Sequence, residues 1–268
     1  MKRKFAVIGV GNMAKSIIAG ISSADISVSS FYLFDKFPTA CDCYKDKEGF
    51  YIEKDIESVV NNSDCILLSV KPQNYPEILS EIKKVDGFDK KLYISIGAGI
   101  TSKSVSDALG GANVVRVLPN LPMTVGMGAS VICKNESVSA DDFAFVEAVF
   151  ASSGSTTLID EKDMNAIIGV TSSSPAYVFK FINAIFKGAE AQGLDTDGLL
   201  DIICDVVIGS ATLLKKSNDT PTELIAKVAS KGGTTEQALL KLDEGEFDET
   251  IKNAMLACTK RANELGGK

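Results

Sequence analysis

The segment Phe5-Ala6-Val7-Ile8-Gly9-Val10-Gly11-Asn12-Met13-Ala14 decides the reading of this chain. An apolar, strand-like run over Phe5–Val10 gives way at Gly11 to a helical pattern over Met13–Ser23. Gly9-Val10-Gly11-Asn12-Met13-Ala14 fits the glycine fingerprint of a phosphate-cradling strand–turn–helix, in which alanine can replace the third glycine. Gly9 permits the tight turn, Gly11 lets backbone approach a pyrophosphate, and Ala14 lets the helix pack closely on the strand. The pyrophosphate would face the unsatisfied N–H groups at the helix start. The alternative is a glycine turn in an unrelated α/β fold, and the segments that follow weigh against it.

Further strand-like runs lie at Phe31–Phe34, Cys65–Val70, Leu92–Ile96, Val114–Leu118 and Ala129–Cys133. Helical patterns fall between several of them, at Ile56–Asn62, Tyr75–Lys84 and Ser102–Leu109. Such alternation predicts a mostly parallel, doubly wound α/β sheet covered on both faces, the Rossmann type. A helix near Ala140–Ser152 and a strand near Thr156–Ile159 close this dinucleotide-binding domain, expected over residues 1–160. From Glu161 strand signals stop and apolar residues recur at helical spacing, so residues 161–268 read as an all-helical domain. Ala166, Ile167 and Val170, then Val178, Phe181, Ile182 and Ile185, read as helices flanking Ser172-Ser173-Ser174-Pro175. Leu199–Leu214 is almost continuously apolar or small, a helix expected to be buried on most sides, with a partner subunit as one means of covering it.

Bulk properties narrow the function. Net charge is −7, which argues against broad attraction to nucleic acid or anionic lipid, although a local glycine loop can still hold an anionic cofactor. The basic start Met1-Lys2-Arg3-Lys4 precedes an apolar run too short for a secretory signal, and no stretch has the length of a membrane span. Six scattered cysteines, with Cys65 and Cys133 in apolar strands, suit a reducing cytoplasm better than a disulfide framework. Cys41-Asp42-Cys43 has no second ligand pair, so no metal is expected. The chain contains no histidine, which excludes Ser-His-Asp hydrolysis, His-ligated zinc and imidazole proton relays. Proton handling must use Lys, Asp, Glu, Tyr, Cys, Ser, Thr or water.

Other candidate residues sit where strands end. Asp35 follows the second strand, where a carboxylate would accept hydrogen bonds from a ribose 2′-hydroxyl and favour NADH. Lys36 beside it could instead pair with a 2′-phosphate, so the expected cofactor is NADPH or NADH. Val70-Lys71-Pro72 places a lysine at the carboxyl edge of the sheet, where ligands bind, although a solvated loop lysine is the ordinary alternative. Ser95-Ile96-Gly97-Ala98-Gly99-Ile100 is a small-residue turn at the same edge, with room at Gly97 and Ala98 for a flat ring or a ribose. Leu118-Pro119-Asn120-Leu121-Pro122 is a stiff loop that could aim the Asn120 amide at the nicotinamide, or be a structural turn. In the helical part, Ser230-Lys231-Gly232-Gly233-Thr234-Thr235 leads into a helix and offers free N–H groups and hydroxyls to a small carboxylate. Simple helix capping would explain the same residues.

Together these segments resemble the Δ1-pyrroline-5-carboxylate reductases. The resemblance runs in matching order along the whole chain, through Gly9–Ala14, Val70-Lys71-Pro72, Ser95–Ile100, Arg116–Pro122, Ser173–Tyr177 and Gly232–Thr235. It implies a Rossmann domain, a helical domain that dimerises by interlocking, and in some members a larger ring of dimers. It implies reduction of a cyclic imine carboxylate to L-proline, with the dinucleotide at Gly11, Asn12 and Met13 beside Lys71 and Pro72. The substrate carboxylate would meet Ser230, Gly232 and Gly233, with Thr235 at the ring nitrogen as the catalytic residue. Leu121 stands where the family has threonine and Lys231 where it has proline. Ser172-Ser173-Ser174 replaces Gly-Ser-Gly, and Met127 stands beside Gly128 where the family often has a glutamate nearby. A protonated cyclic imine is already electrophilic, so hydride transfer needs no histidine acid, only positioning and exclusion of water. The alternatives are another dehydrogenase, such as one for β-hydroxy acids, and a regulatory NAD(P)-binding protein without turnover.

Overall fold

The computed structural model describes residues 2–267; Met1 and Lys268, the outer limits of the two expected domains, lie outside the described residues. The chain begins with β1 (Arg3–Ile8), in which Phe5 and Val7 join one apolar cluster while Ala6 and Ile8 join another. All four side chains are fully buried. A strand apolar on both sides belongs at the centre of a sheet with both faces covered. α1 (Asn12–Ser23) and β2 (Val28–Phe34) follow, then β3 (Phe50–Ile52), α2 (Ile56–Asn62) and β4 (Cys65–Leu68). α3 (Tyr75–Ile82), β5 (Leu92–Ser95), α4 (Ser102–Ala108), β6 (Asn113–Leu118), β7 (Gly128–Lys134), α5 (Ala140–Ala151) and β8 (Gly154–Leu158) complete the sheet region.

The strand order is β3-β2-β1-β4-β5-β6-β7-β8. All neighbouring pairs are parallel except β6 with β7. The order reverses direction between β1 and β4, the position at which doubly wound sheets open a crevice above their carboxyl ends. α1 and α5 cover one face through Ile17, Ile21, Val146 and Phe150. α2, α3 and α4 cover the other through Val59, Leu79, Ile82 and Val105.

Among the described residues, one compact unit comprises residues 2–173 with 255–267, and the second comprises Ser174–Ala254. The helix expected around Ala166–Val170 is not formed: Glu161–Asp163 and Ile167–Gly169 are short 3-10 turns. Met164 and Ile168 are buried there with Leu118, Val131 and Ala262, and a Cβ on Gly169 would meet Met255 at 3.1 Å. The helical part contains α6 (Ser174–Ala191), α7 (Leu199–Lys216), α8 (Pro221–Val228), α9 (Thr234–Glu244) and α10 (Phe247–Leu265). α8 starts on a reciprocal cap: Thr220 Oγ1 accepts from the Glu223 N–H, and Glu223 accepts from the Thr220 N–H.

Within one chain α7 is not the buried helix its sequence suggests. Only Ile203 is buried, while Ile202 and Val206 are 61% and 59% exposed and Leu200, Ile208 and Leu213 are more than half exposed. α6 likewise exposes Phe179 and Phe181. Exposed apolar residues in this number are more typical of interaction surfaces than of solvated helices.

A largely buried polar cluster gathers around β6. Arg116 on β6 is 1% exposed; its two terminal nitrogens donate to Glu161 Oε1 and Asn165 Oδ1, each at 2.7 Å. Glu161 Oε2 also accepts from the Ser102 hydroxyl and, at 3.1 Å, from the Cys133 thiol. Asn165 then donates to Asn263 of α10 at 2.8 Å. Burial alone would push the Glu161 carboxyl up, but hydrogen bonds from Ser102, Arg116 and Cys133, with the Arg116 charge, hold it below the ordinary value. Its contribution to stability is therefore present above the unfolded pKa of about 4.3 and disappears as pH falls through the folded value. Glu161→Ala strands the Arg116 charge and is expected to lower the unfolding free energy by about 3 kcal/mol in urea titrations at pH 7. It should also flatten the acid limb of stability against pH; an unchanged acid limb would contradict the assignment.

Candidate dinucleotide cleft and substrate loop

A cleft of about 520 Å³ opens where β1, β2 and β4 end, lined by Gly9, Gly11, Asp35, Lys36, Ser69 and Lys71. Asn74, Glu77, Ile78 and Glu81 line it from the α3 side. Gly9 has φ +93°, and a Cβ there would lie 2.7 Å from the Ser69 carbonyl oxygen and 2.9 Å from a Val70 methyl. Only glycine lets this turn touch the loop after β4. Gly11 is different. Its φ of −77° is ordinary and nothing in the protein lies within 4 Å of a Cβ built on it. The open space faces the start of α1, where Gly11 is the N-cap and no side chain caps the helix. Asn12 is exposed, Met13 half-buried and Ala14 fully buried against the sheet. An uncapped helix start beside an open glycine and a cleft of this size fits a dinucleotide pyrophosphate.

Asp35 is bound more tightly than a solvated loop acid. Its Oδ2 accepts from the Val10 N–H at 2.7 Å and its Oδ1 from the Phe37 N–H at 2.8 Å. The carboxylate thus ties the glycine loop to the loop after β2. Lys36 and Lys71 are exposed at the rim, with Val70 and Pro72 half-buried beside them. Glu77 and Glu81 stand one helical turn apart on α3, a spacing that puts both carboxylates on one side; the sequence reading passed over them.

The small-residue turn at Ser95–Ile100 packs closely against the chain itself at both of its glycines. A Cβ on Gly97 would meet the Tyr75 ring at 2.8 Å, and one on Gly99, at φ +78°, would clash with the Ala262 carbonyl. The Tyr75 hydroxyl donates to the Leu68 carbonyl at 2.9 Å, lies 3.0 Å from Ser95 Oγ and accepts from the Gly97 N–H at 3.0 Å. Burial pushes this phenol up to about 12, so it stays neutral. Ala98 is half-buried at the same edge.

Asn120 is held at both ends of its side-chain amide. Its Oδ1 accepts from the Ala129 N–H at 2.9 Å and its Nδ2 donates to the Thr171 carbonyl at 3.2 Å. Both ends of the amide hold backbone, so Asn120 clamps the loop. Leu121 and Met127 are 51% and 70% exposed on that loop.

The Ser230–Thr235 loop belongs to the helical unit. Gly232 takes φ +72°, and its N–H donates to the Glu236 carboxylate at 2.7 Å. The Gly233 N–H closes a turn on the Ser230 carbonyl at 2.9 Å, and Ser230 Oγ fills the space where a Cβ on Gly233 would sit. The two amides assigned to a substrate carboxylate therefore already have partners within the loop. What remains for an anion is the first turn of α9, whose N-cap Gly233 provides no side-chain cap, with the hydroxyls of Ser230, Thr234 and Thr235. Ser230, Lys231 and Thr234 are exposed and Thr235 is half-buried. Glu236 was not foreseen, although an acid three residues past an N-cap is a capping signal. Among the described residues no group of three metal-ligating side chains occurs.

The two glycines of the first loop separate under mutation. Gly11→Ala should leave unfolding within about 0.5 kcal/mol of the parent while weakening nucleotide binding about tenfold or more by titration. Gly9→Ala should destabilise the fold by about 2 kcal/mol, read by thermal or urea unfolding.

The comparisons with known proteins agree with this geometry. The family model for pyrroline-5-carboxylate reductase dimerisation matches residues 161–265, and that for NADP oxidoreductase, coenzyme F420-dependent, matches residues 4–99. Pyrroline-5-carboxylate reductase of Methanosarcina acetivorans is 31% identical over 268 residues, 99% of each chain. The Escherichia coli (strain K12) enzyme is 32% identical over 267 residues, again 99% of each chain. The crystal structure of Plasmodium falciparum pyrroline carboxylate reductase with NADP bound superposes with a TM-score of 0.87 at 26% identity, covering 98% of both chains. Identity above 30% along essentially the whole length, on the same fold, shows that the chain belongs to the pyrroline-5-carboxylate reductase family.

Proposed function

We propose that this chain reduces Δ1-pyrroline-5-carboxylate to L-proline with NADPH or NADH, the final step of proline synthesis. The observation that carries the reading is full-length membership of the family together with an uncapped α1 start and an open Gly11 above the sheet crevice. A dinucleotide held there would supply hydride to the imine carbon, the C=N π electrons becoming the amine lone pair. The imine nitrogen arrives protonated, so no side chain has to deliver a proton in that step; this suits a chain without histidine. The first loop and α1 hold the pyrophosphate, with Lys71 and Pro72 at the rim. Residues 161–268 provide substrate binding and dimerisation, while residues 1–160 bind the dinucleotide. The first turn of α9 and the Ser230, Thr234 and Thr235 hydroxyls receive the substrate carboxylate, and Thr235 orients the ring nitrogen.

The exposed apolar faces of α6 and α7 are the surface of a homodimer, and a ring of such dimers is the larger assembly this reading allows. No helix among the described residues is long and apolar enough to cross a membrane. Six cysteines without a disulfide among them, three of them buried, fit the reducing cytoplasm.

Oxidation of the reduced nicotinamide, followed at 340 nm with Δ1-pyrroline-5-carboxylate and matched to proline formed, tests the reaction directly. Thr235→Ala should lower kcat about a hundredfold while changing the nucleotide Kd less than about threefold. Equal loss of both would remove Thr235 from the reaction. Sedimentation should show at least a dimer for the parent chain, and Ile202→Glu with Val206→Glu should shift it toward monomer.

A further inference from the structure

We infer that Asp35, fixed between two backbone amides, makes this reductase prefer NADH to NADPH. The inference rests on the reading of the chain as a dinucleotide-dependent reductase and goes beyond it to the identity of the cofactor. In a sheet of this order the adenosine ribose lies at the end of β2, so its 2′ position is the only point at which the two cofactors differ and the side chain there reads it. Asp35 occupies that point and lines the cleft.

Three observations bear on the choice. First, the carboxylate cannot swing aside for a phosphate without cost: its two oxygens hold the Val10 and Phe37 N–H groups at 2.7 and 2.8 Å, and leaving would strand both donors. The same anchoring leaves lone pairs on each oxygen for ribose hydroxyls. Second, no guanidinium is at hand. The chain has three arginines, and Arg3, Arg116 and Arg261 pair with Asp142, Glu161 and Glu264, none of which lines this cleft. The planar fork that recognises a phosphate with two parallel bonds is therefore missing. Third, the cleft's charged lining comprises Asp35, Glu77 and Glu81 against Lys36 and Lys71. An added dianionic phosphate meets a surplus of carboxylate. Lys36 is exposed at the rim, where solvent and salt screen it, while Asp35 is half-buried. The relative from Plasmodium falciparum was crystallised with NADP bound; in this chain the loop after β2 carries Asp35.

Binding of NADH and of NADPH is measured separately on the intact protein by nucleotide fluorescence without imine, and kcat/KM is measured for each with Δ1-pyrroline-5-carboxylate. The expected result is a preference for NADH of about tenfold or more in Kd. Raising sodium chloride to about 0.5 M should narrow the gap, because screening weakens repulsion of the 2′-phosphate alone. Asp35→Asn, which keeps one acceptor for the Val10 amide, should shift the ratio about tenfold toward NADPH. Equal or tighter binding of NADPH by the parent protein overturns the inference, as does an unchanged ratio in a folded Asp35→Asn protein. Should that variant not fold, the parent ratio and its salt dependence still decide. Preferential NADH binding with no imine turnover would uphold the role of Asp35 while removing the reductase assignment.

Discussion

The close approach of the first loop to the loop after β4 is the constraint on which the rest of this structure depends. β1 is flanked by β2 and β4, and the sheet reverses its winding there. The chain leaving β1 must therefore turn sharply while touching the chain leaving β4. At Gly9 the contact is close enough that a methyl group would overlap the Ser69 carbonyl. One bond from Asp35 to the Val10 amide then joins the third wall, the end of β2. Three strand ends are held together by one missing side chain and one carboxylate, and the start of α1 is left pointing into the gap between them.

Much of this was legible beforehand because both periodicities were strong. Ile56–Asn62 is a helix within the residues its pattern marks, and most strand limits differ from expectation by one or two positions. β3 was missed because Phe50-Tyr51-Ile52 is too short to show alternation and is only partly covered. The apolar spacing at Ala166–Val170 suggested an α-helix, yet Met164 and Ile168 are drawn into a cluster that includes Ala262, and long-range packing broke the segment into 3-10 turns.

The site was legible to a different depth in each loop. Gly11 behaves as a residue kept open, which the fingerprint anticipates. Gly97 looked the same in sequence but is small because the Tyr75 ring lies against it, a contact across 22 positions that no local pattern reveals. Asn120 is likewise occupied with Ala129 and Thr171. The Gly232 amide is also taken, by the Glu236 carboxylate four positions on. Small or polar residues at a sheet edge have two possible reasons, a ligand or a neighbour, and only the neighbour's position separates them.

The uncovered face of α7 has a bearing on how this chain can change over generations. When two copies meet about a two-fold axis, each substitution enters the contact twice, once from each side. A side chain near the axis then faces its own duplicate, so a single new charge becomes a like-charged pair and a single new methyl becomes two. In the proposed dimer, changes at Ile202 or Val206 would thus be doubled in effect, whereas a change on the solvent side of α2 would count once. Drift should therefore be slower along α7 than its exposure in an isolated chain would suggest.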